Sequence, residues 1–430
     1  MSSENAVQPR KTFVKSILAA VVGNGLEWFD YGLYAAFATI ISANFFAASE
    51  NSLSALMYTF IVFGVGFVMR PVGGLFFGSL ADRKGRKVSL AITILIMGIS
   101  TTAMGCLPTY ETAGVAAPVM LALCRLLQGF ATGGEWGSCA SFLSEYAGKH
   151  NRAYILAWSS SSIGIGLLAG MLSGTLLASL LGEDDLYSWG WRVPFLFGIL
   201  IAFYGSFLRK SLEETPAFQK QQAENEVTVS PLKYALTNHH RDILKVFFLV
   251  AGTSVAYWIL LTYMSTYIIN FLNISIGTAF EINSVILIFF IIACPLFGKL
   301  VDKVGRKPVA WVSYGGMLVC YYPAFYMINH TQSIWVIILV LAVISLLNAA
   351  LNAVAIPIYT EIFPTKVRAS CYAISYNCAQ ALFGGMAPYV ATWLIATTGN
   401  SMSIVGYLMI TMGLAVVALF FTPETKNREM

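Results

Sequence analysis

Charge is scarce in this chain of 430 residues: 11% are Asp, Glu, Lys or Arg, against 57% that are apolar. So few ionised side chains cannot clothe the surface of a soluble protein. Histidine occurs four times, without an HExxH motif or a cluster, so no metal site is expected. The seven cysteines (106, 124, 139, 294, 320, 371 and 378) lie in apolar stretches without CxxC spacing. They read as small core residues, neither disulfides nor ligands. Nothing calls for a cofactor, and no HExxH motif or appended signalling domain points to an intramembrane enzyme or a receptor. No cleavable leader is expected either: Met1 to Thr12 is polar and basic, and the first apolar run is long enough to span a bilayer.

What is present is a pattern in the 26 lysines and arginines. All but three lie near the two ends or in alternate loops between long apolar stretches. Those loops hold Arg83/Lys84/Arg86/Lys87, Lys149/Arg152, the run from Arg209 to Lys245, Lys299/Lys303/Arg306/Lys307 and Lys366/Arg368. The loops between them hold none. Lys and Arg collect on the cytoplasmic side of a membrane, so both termini are expected in the cytoplasm. The net charge of +5 then reflects orientation and contact with the lipid bilayer, and no nucleic-acid partner is expected. The other three, Arg70, Arg125 and Arg192, fall inside or at the edge of apolar stretches. A charge at the bilayer centre costs at least about 2.5–3.5 kcal/mol, which makes each a functional candidate.

A hydrocarbon core takes about 20 apolar residues per helix. On that measure the chain reads as an all-α membrane protein with twelve spans, at roughly 16–42, 56–80, 88–107, 115–144, 154–181, 190–208, 244–270, 280–300, 308–328, 333–360, 370–396 and 401–421. The polar stretch 209–243 separates an N-terminal bundle (1–208) from a C-terminal bundle (244–430) as a cytoplasmic linker. The halves repeat. GSLADRKGRK (78–87) follows span 2 and GKLVDKVGRK (298–307) follows span 8; Glu145 with Arg152 after span 4 matches Glu361 with Arg368 after span 10. Two bundles of like orientation around a cavity is a transporter plan.

These motifs resemble the major facilitator superfamily: GSLADRKGRK is similar to its signature loop, and RLLQG (125–129) to its fourth-helix motif. GNGLEWFDYGLY (23–34), FVMRPVGGLFFG (67–78), RLLQGFATGGEWG (125–137), SWGWRVPF (188–195), LEETPAF (212–218) and EIFPTKVRAS (361–370) together resemble its metabolite:proton symporter branch. That branch includes proline/betaine, α-ketoglutarate, citrate and shikimate permeases. The resemblance covers both halves. It implies the twelve-helix facilitator fold, alternating access and a multi-pass place in a bacterial inner or plasma membrane.

Glu27 and Asp30 fall near mid-depth of span 1, on a face shared with Asn24, Tyr31 and Tyr34. A carboxylate in hydrocarbon can cycle between charged and neutral forms, as proton coupling requires; a static ion pair is the structural alternative. Arg125, Gln128, Thr132 and Glu135 also share a face. The resemblance implies that Arg125 modulates the proton-bearing acid, with Asp30 first, Glu27 next and Glu135 the runner-up; a structural network is the other reading. Arg70 has no acid within four residues on its helix, so it suits a substrate carboxylate or a salt bridge to another helix. Arg192, at the outer end of span 6, is either a substrate ligand, as the branch implies, or snorkels to the interface. The resemblance further implies a cytoplasmic gate built from Gly78, Asp82, Arg83, Gly85, Arg86, Asp302, Arg306, Glu145, Arg152, Glu361 and Arg368. In the second half the intramembrane polar residues are uncharged: Tyr257, Trp258, Asn348, Asn352, Tyr376 and Gln380 join Arg70, Tyr34 and Gln128 as candidate substrate contacts.

The expectation is a monomeric proton symporter that imports a small carboxylate-bearing metabolite, such as a di- or tricarboxylate. The alternatives are symport of a zwitterionic osmolyte (proline or betaine) and proton-coupled efflux of an organic compound.

Overall fold

The computed structural model describes residues 25, 28–46, 51–84, 86–133, 151–200, 202–203, 237–331, 333–364 and 368–426, with side chains described except at 78–79, 81–87, 90, 368–370 and 373. Among the described residues every regular element is helical. Residues 28–36 lead into α1 (Ala38–Phe45), followed by α2 (Ser52–Lys84), α3 (Arg86–Cys106), α4 (Ala116–Gly133), α5 (Arg152–Leu180) and α6 (Arg192–Leu196). Then come α7 (His240–Phe271), α8 (Ile276–Val304), α9 (Arg306–His330), α10 (Ile334–Glu361), α11 (Arg368–Ala379, continued to Thr398) and α12 (Ser403–Phe420). Eight of these are long and apolar enough to cross a membrane. In hydrocarbon a segment must satisfy its own backbone, so apolar runs of this length fold as helices. Their outer faces are apolar too: Trp335 is 80% exposed and Val319 73%, a surface that suits lipid.

The helices reach further than hydropathy indicates. The loops expected around GSLADRKGRK and GKLVDKVGRK shrink to a single residue between α2 and α3, and to Gly305 between α8 and α9. Gly305 has φ +117°, which glycine alone adopts cheaply.

Glycine also sets how closely helices meet. A Cβ on Gly129 of α4 would sit 1.7 Å from the Gly66 carbonyl oxygen of α2, and one on Gly133 would sit 2.0 Å from that of Arg70. The RLLQGFATGG motif is therefore a backbone-to-backbone seam, and it sets Arg70 level with Gly133, about two turns along α4 from Arg125. Between the two halves of the chain, α5 packs along α8 and α2 against α11.

Two helices carry a wide, π-type turn: Ile259–Tyr263 in α7 and Gln380–Gly384 in α11. Each begins where its helix borders the space between the halves.

Candidate functional site

Asp30 is buried at 3% exposure, and three donors converge on its carboxylate. Arg125 Nη1 donates to Oδ2 at 2.8 Å; Gln128 Nε2 and Thr101 Oγ1 donate to Oδ1 at 2.7 and 2.9 Å. Gln128 also accepts from Arg125 Nη1 at 2.9 Å and donates to Thr101 at 3.0 Å. The three-residue step from Arg125 to Gln128 puts both on one face of α4, as the sequence indicates. Arg125 grips Asp30 through one nitrogen only. Its Nε and Nη2 have no hydrogen-bond partner among the described residues, and its guanidinium carbon lies 3.8 Å from the Tyr34 ring centroid. An ion pair this deep carries a heavy desolvation cost, which a single-point contact repays poorly. Neutralising Asp30 would release Arg125 rather than tear apart a bidentate fork.

Arg70, also buried, lies against aromatic rings: its guanidinium carbon is 4.2 Å from the Phe67 centroid and 5.4 Å from those of Trp28 and Tyr31. Its Nε and Nη2 have no hydrogen-bond partner among the described residues. Trp258 closes the same wall from α7, with centroids 5.1 Å from Phe67 and 5.7 Å from Trp28.

Beyond the wall lies a cavity between the halves, lined by the rings of Trp28, Tyr257, Trp258, Tyr359 and Tyr376, with Asn352, Gln380 and hydroxyls from Ser160, Thr253 and Ser254. Among the described residues no ionised side chain lines it. Its volume is ≈ 40 Å³, room for a few waters, so a metabolite enters only if helices part. Gln380 ties the wall to α11, accepting from Trp258 Nε1 at 3.2 Å and donating to Tyr376 at 2.9 Å.

At the basic end of the helices Glu361 is fully enclosed. Arg306 donates to it from Nη2 at 2.8 Å and Nε at 3.1 Å, Arg152 donates from across the seam at 3.1 Å, and Thr425 at 2.6 Å. Asp302 of α8 accepts the backbone N–H of Ala153 and Tyr154 at 3.0 and 2.9 Å, capping the N-terminus of α5 in the other half. Glu424, past the end of α12, caps α9 through the N–H of Arg306 and Lys307. Burial pushes its carboxyl up, but these and the N–H groups of Thr425 and Lys426 outweigh burial and hold it below the usual carboxylate range. At the opposite end the halves meet through neutral groups, Asn270 donating to Thr39 at 3.2 Å and Phe37 facing Phe280 at 6.2 Å.

Of the residues singled out in the sequence, the structure brings Asp30, Arg125 and Gln128 together, and Tyr34 beneath Arg125. Tyr257, Trp258, Asn352, Tyr376 and Gln380 line the cavity, with Arg70 one ring behind it. Asn348 does not; it donates to the Ala256 carbonyl at 3.1 Å and braces α10 against α7. Arg192 is also elsewhere: its Nη1 donates to the carbonyls of Gly105 and Leu107 at the C-terminus of α3, a position that helix-end partial charge favours for a cation. The second half is not free of buried charge, because Arg306 and Glu361 are 1% and 2% exposed where a loop was expected. Cys106 and Cys378 are exposed rather than core. Glu27, Glu135, Glu145 and Gly85, with the side chains of Asp82, Arg83, Arg86 and Arg368 and the surroundings of Gly78, lie outside the described residues. Sequence reasoning missed Thr101, the wall residues Trp28 and Phe67, and Tyr359. None of the four carried a signal in the sequence that sets it apart from packing.

The family profile of the Major Facilitator Superfamily matches residues 21–326 and 275–429. The proline/betaine transporter of Escherichia coli K12 is 35% identical over 431 residues, covering 97% of this chain and 84% of that protein. The glycine betaine/proline/ectoine/pipecolic acid transporter of Dickeya dadantii is 34% identical over 429 residues, with the same coverage. Among solved structures, the E. coli xylose transporter in a partially occluded inward-open conformation superposes with a TM-score of 0.79 at 18% identity, covering 98% of this chain and 100% of that one. A D-xylose–proton symporter gives 0.78 at 21% identity, covering 97% and 99%. These two bear on the fold alone.

Proposed function

The chain belongs to the Major Facilitator Superfamily and is a multi-pass membrane transporter rather than an enzyme; from that premise we propose that it imports a small zwitterion together with a proton. The observation that carries the substrate class is the cavity wall, five aromatic rings with amides and hydroxyls and no ionised side chain among the described residues. Aromatic faces attract an ammonium, quaternary ones included, and a wall without net charge suits a cargo without net charge. The names of the relatives, proline and betaine transporters, favour this class over the di- or tricarboxylate that the sequence leads one to expect.

Asp30 is the proton carrier in this reading. Deprotonated, it holds Arg125, Gln128 and Thr101; protonated, it lets Arg125 go and loosens the contact of residues 28–36 with α4. Glu27 and Glu135 are the second and third candidates. The Lys/Arg partition puts both termini and the linker 209–243 in the cytoplasm. The basic end is then the inner gate, where Asp302, Arg152, Glu361 and Arg306 join the 1–208 and 244–430 bundles.

A second reading, an organic acid, keeps one support: Arg70, whose unused N–H groups suit a carboxylate once the Trp28 wall opens. The zwitterion needs the same contact for its own carboxylate. Purified protein in liposomes with an acid exterior should accumulate labelled proline or glycine betaine and not citrate or α-ketoglutarate. Accumulation of the acids alone overturns the zwitterion. In either case Arg70→Ala should cut uptake at least about tenfold, and Arg70→Lys should rescue poorly, since a point charge cannot replace the planar fork.

A further inference from the structure

Three hydroxyls meet at the edge of the cavity, from three different helices. Thr253 of α7 lies 2.9 Å from Tyr314 of α9 and 2.8 Å from Tyr359 of α10, and the two phenol oxygens are 3.3 Å apart. Thr253 also donates to the Leu249 carbonyl at 2.8 Å, the back-bond of a threonine inside a helix. A hydroxyl has one proton and two lone pairs. With its proton on Leu249, Thr253 can only accept from the tyrosines. Tyr359 then gives its proton to Thr253 or to Tyr314, because turning it to the cavity would leave the Thr253 and Tyr359 oxygens, 2.8 Å apart, facing each other lone pair to lone pair. Tyr359 and Thr253 line the cavity; Tyr314 does not. What Tyr359 offers a ligand is therefore lone pairs only.

We propose that Tyr359, held as an obligate acceptor by Thr253, is the residue by which this transporter distinguishes a ligand with an ammonium N–H from its fully N-methylated counterpart. This deepens the zwitterion reading and rests on it. The rings of Trp28, Tyr257, Trp258 and Tyr376 attract any cation alike, so they cannot tell a secondary ammonium from a quaternary one. A fixed acceptor can. It completes a charge-assisted hydrogen bond with N–H, and it is left buried and unpaired by an N,N-dimethyl group. The same lone pairs repel a carboxylate, which orients the zwitterion with its anionic end away from α10.

A matched pair reports on this contact: proline and N,N-dimethylproline share a skeleton, with two N–CH3 groups in place of the two N–H bonds, and the change of their ratio between variants cancels the difference in bulk. Binding of each is read as thermal stabilisation of the purified full-length protein, and uptake of each in liposomes. Wild type should favour proline, and Tyr359→Phe should shift the affinity ratio about tenfold towards the dimethyl ligand. Thr253→Val should shift it the same way by a different route, because the Tyr359 proton loses its 2.8 Å acceptor, keeps only the more distant Tyr314 at 3.3 Å, and can turn to the cavity. Tyr314→Phe leaves Tyr359 bonded to Thr253 and should keep the ratio within about twofold. Should Tyr359→Phe not fold, Thr253→Val decides. An unchanged ratio in both Tyr359→Phe and Thr253→Val, or in Thr253→Val alone where only it folds, overturns the inference while leaving the zwitterion reading intact. Wild-type protein that binds neither ligand overturns the zwitterion reading, and this inference falls with it.

Discussion

Three donors converge on the Asp30 carboxylate, and one of them, Arg125, reaches it by a single nitrogen. Asp30→Asn removes the proton and the charge together but preserves the shape and the contact with Thr101. The variant should lose accumulation driven by a proton gradient, by about tenfold or more, while still exchanging labelled for unlabelled substrate across the membrane. Counterflow and gradient-driven uptake, measured on the same liposomes, separate the two activities. Normal accumulation in Asp30→Asn would pass the role to Glu27 and then Glu135. Arg125 is also packed on Tyr34, whose hydroxyl is fixed to the Thr59 carbonyl at 2.8 Å. A released guanidinium therefore leaves a platform that stays in place, and the pair can re-form.

At the scale of helices the close approach of α2 and α4 is what fixes the offset between Arg70 and Arg125. Gly129→Val would drive a branched side chain into the Gly66 carbonyl, 1.7 Å from where a Cβ would start. No rotamer relieves a backbone clash, so the helices must separate, at a cost at or above the usual ~1–3 kcal/mol of overpacking. The expected result is a lower melting temperature in detergent, or loss of folded protein, read by tryptophan fluorescence on heating; Gly406→Val, at a glycine with open space around it, is the control. Much of this was legible in advance. Apolar run length gave the helices, and steps of three and four gave the Arg125–Gln128 face opposite Asp30. Thr101 was not legible, since a threonine in an apolar helix looks the same whether its one proton goes back to Met97 or across to Asp30, and both acceptors lie within its reach. Trp28 and Phe67 read as packing because an aromatic in a membrane helix usually is. Arg192 misled because the carbonyls it caps belong to the end of another helix, and helix ends are what hydropathy locates worst. Charged residues at helix ends read as loop because hydropathy reports the hydrocarbon, and α2, α8 and α10 continue beyond it.

Among the described residues the two halves touch at both ends, through the Arg152–Glu361 ion pair at the basic end and through neutral contacts at the other. Which end faces the cytoplasm is a matter of labelling. Single cysteines at Asn51, Gly182 and Ser275 in a cysteine-free background should react with an impermeant maleimide from outside, and ones at Lys84, Gln222 and Lys366 should not. Reaction at Gln222 from outside would invert the orientation. The uncharged cavity wall also has an electrical consequence. On the proposed reading a zwitterion would add nothing to the charge that crosses, so a single proton carried on Asp30 would be the whole current, one elementary charge for each molecule carried. Membrane voltage should then concentrate the cargo with no pH difference at all: 100 mV supplies about 2.3 kcal/mol per charge, which at about 1.4 kcal/mol per decade supports a gradient of roughly fortyfold. The transporter is in that sense a meter, and its current counts its cargo.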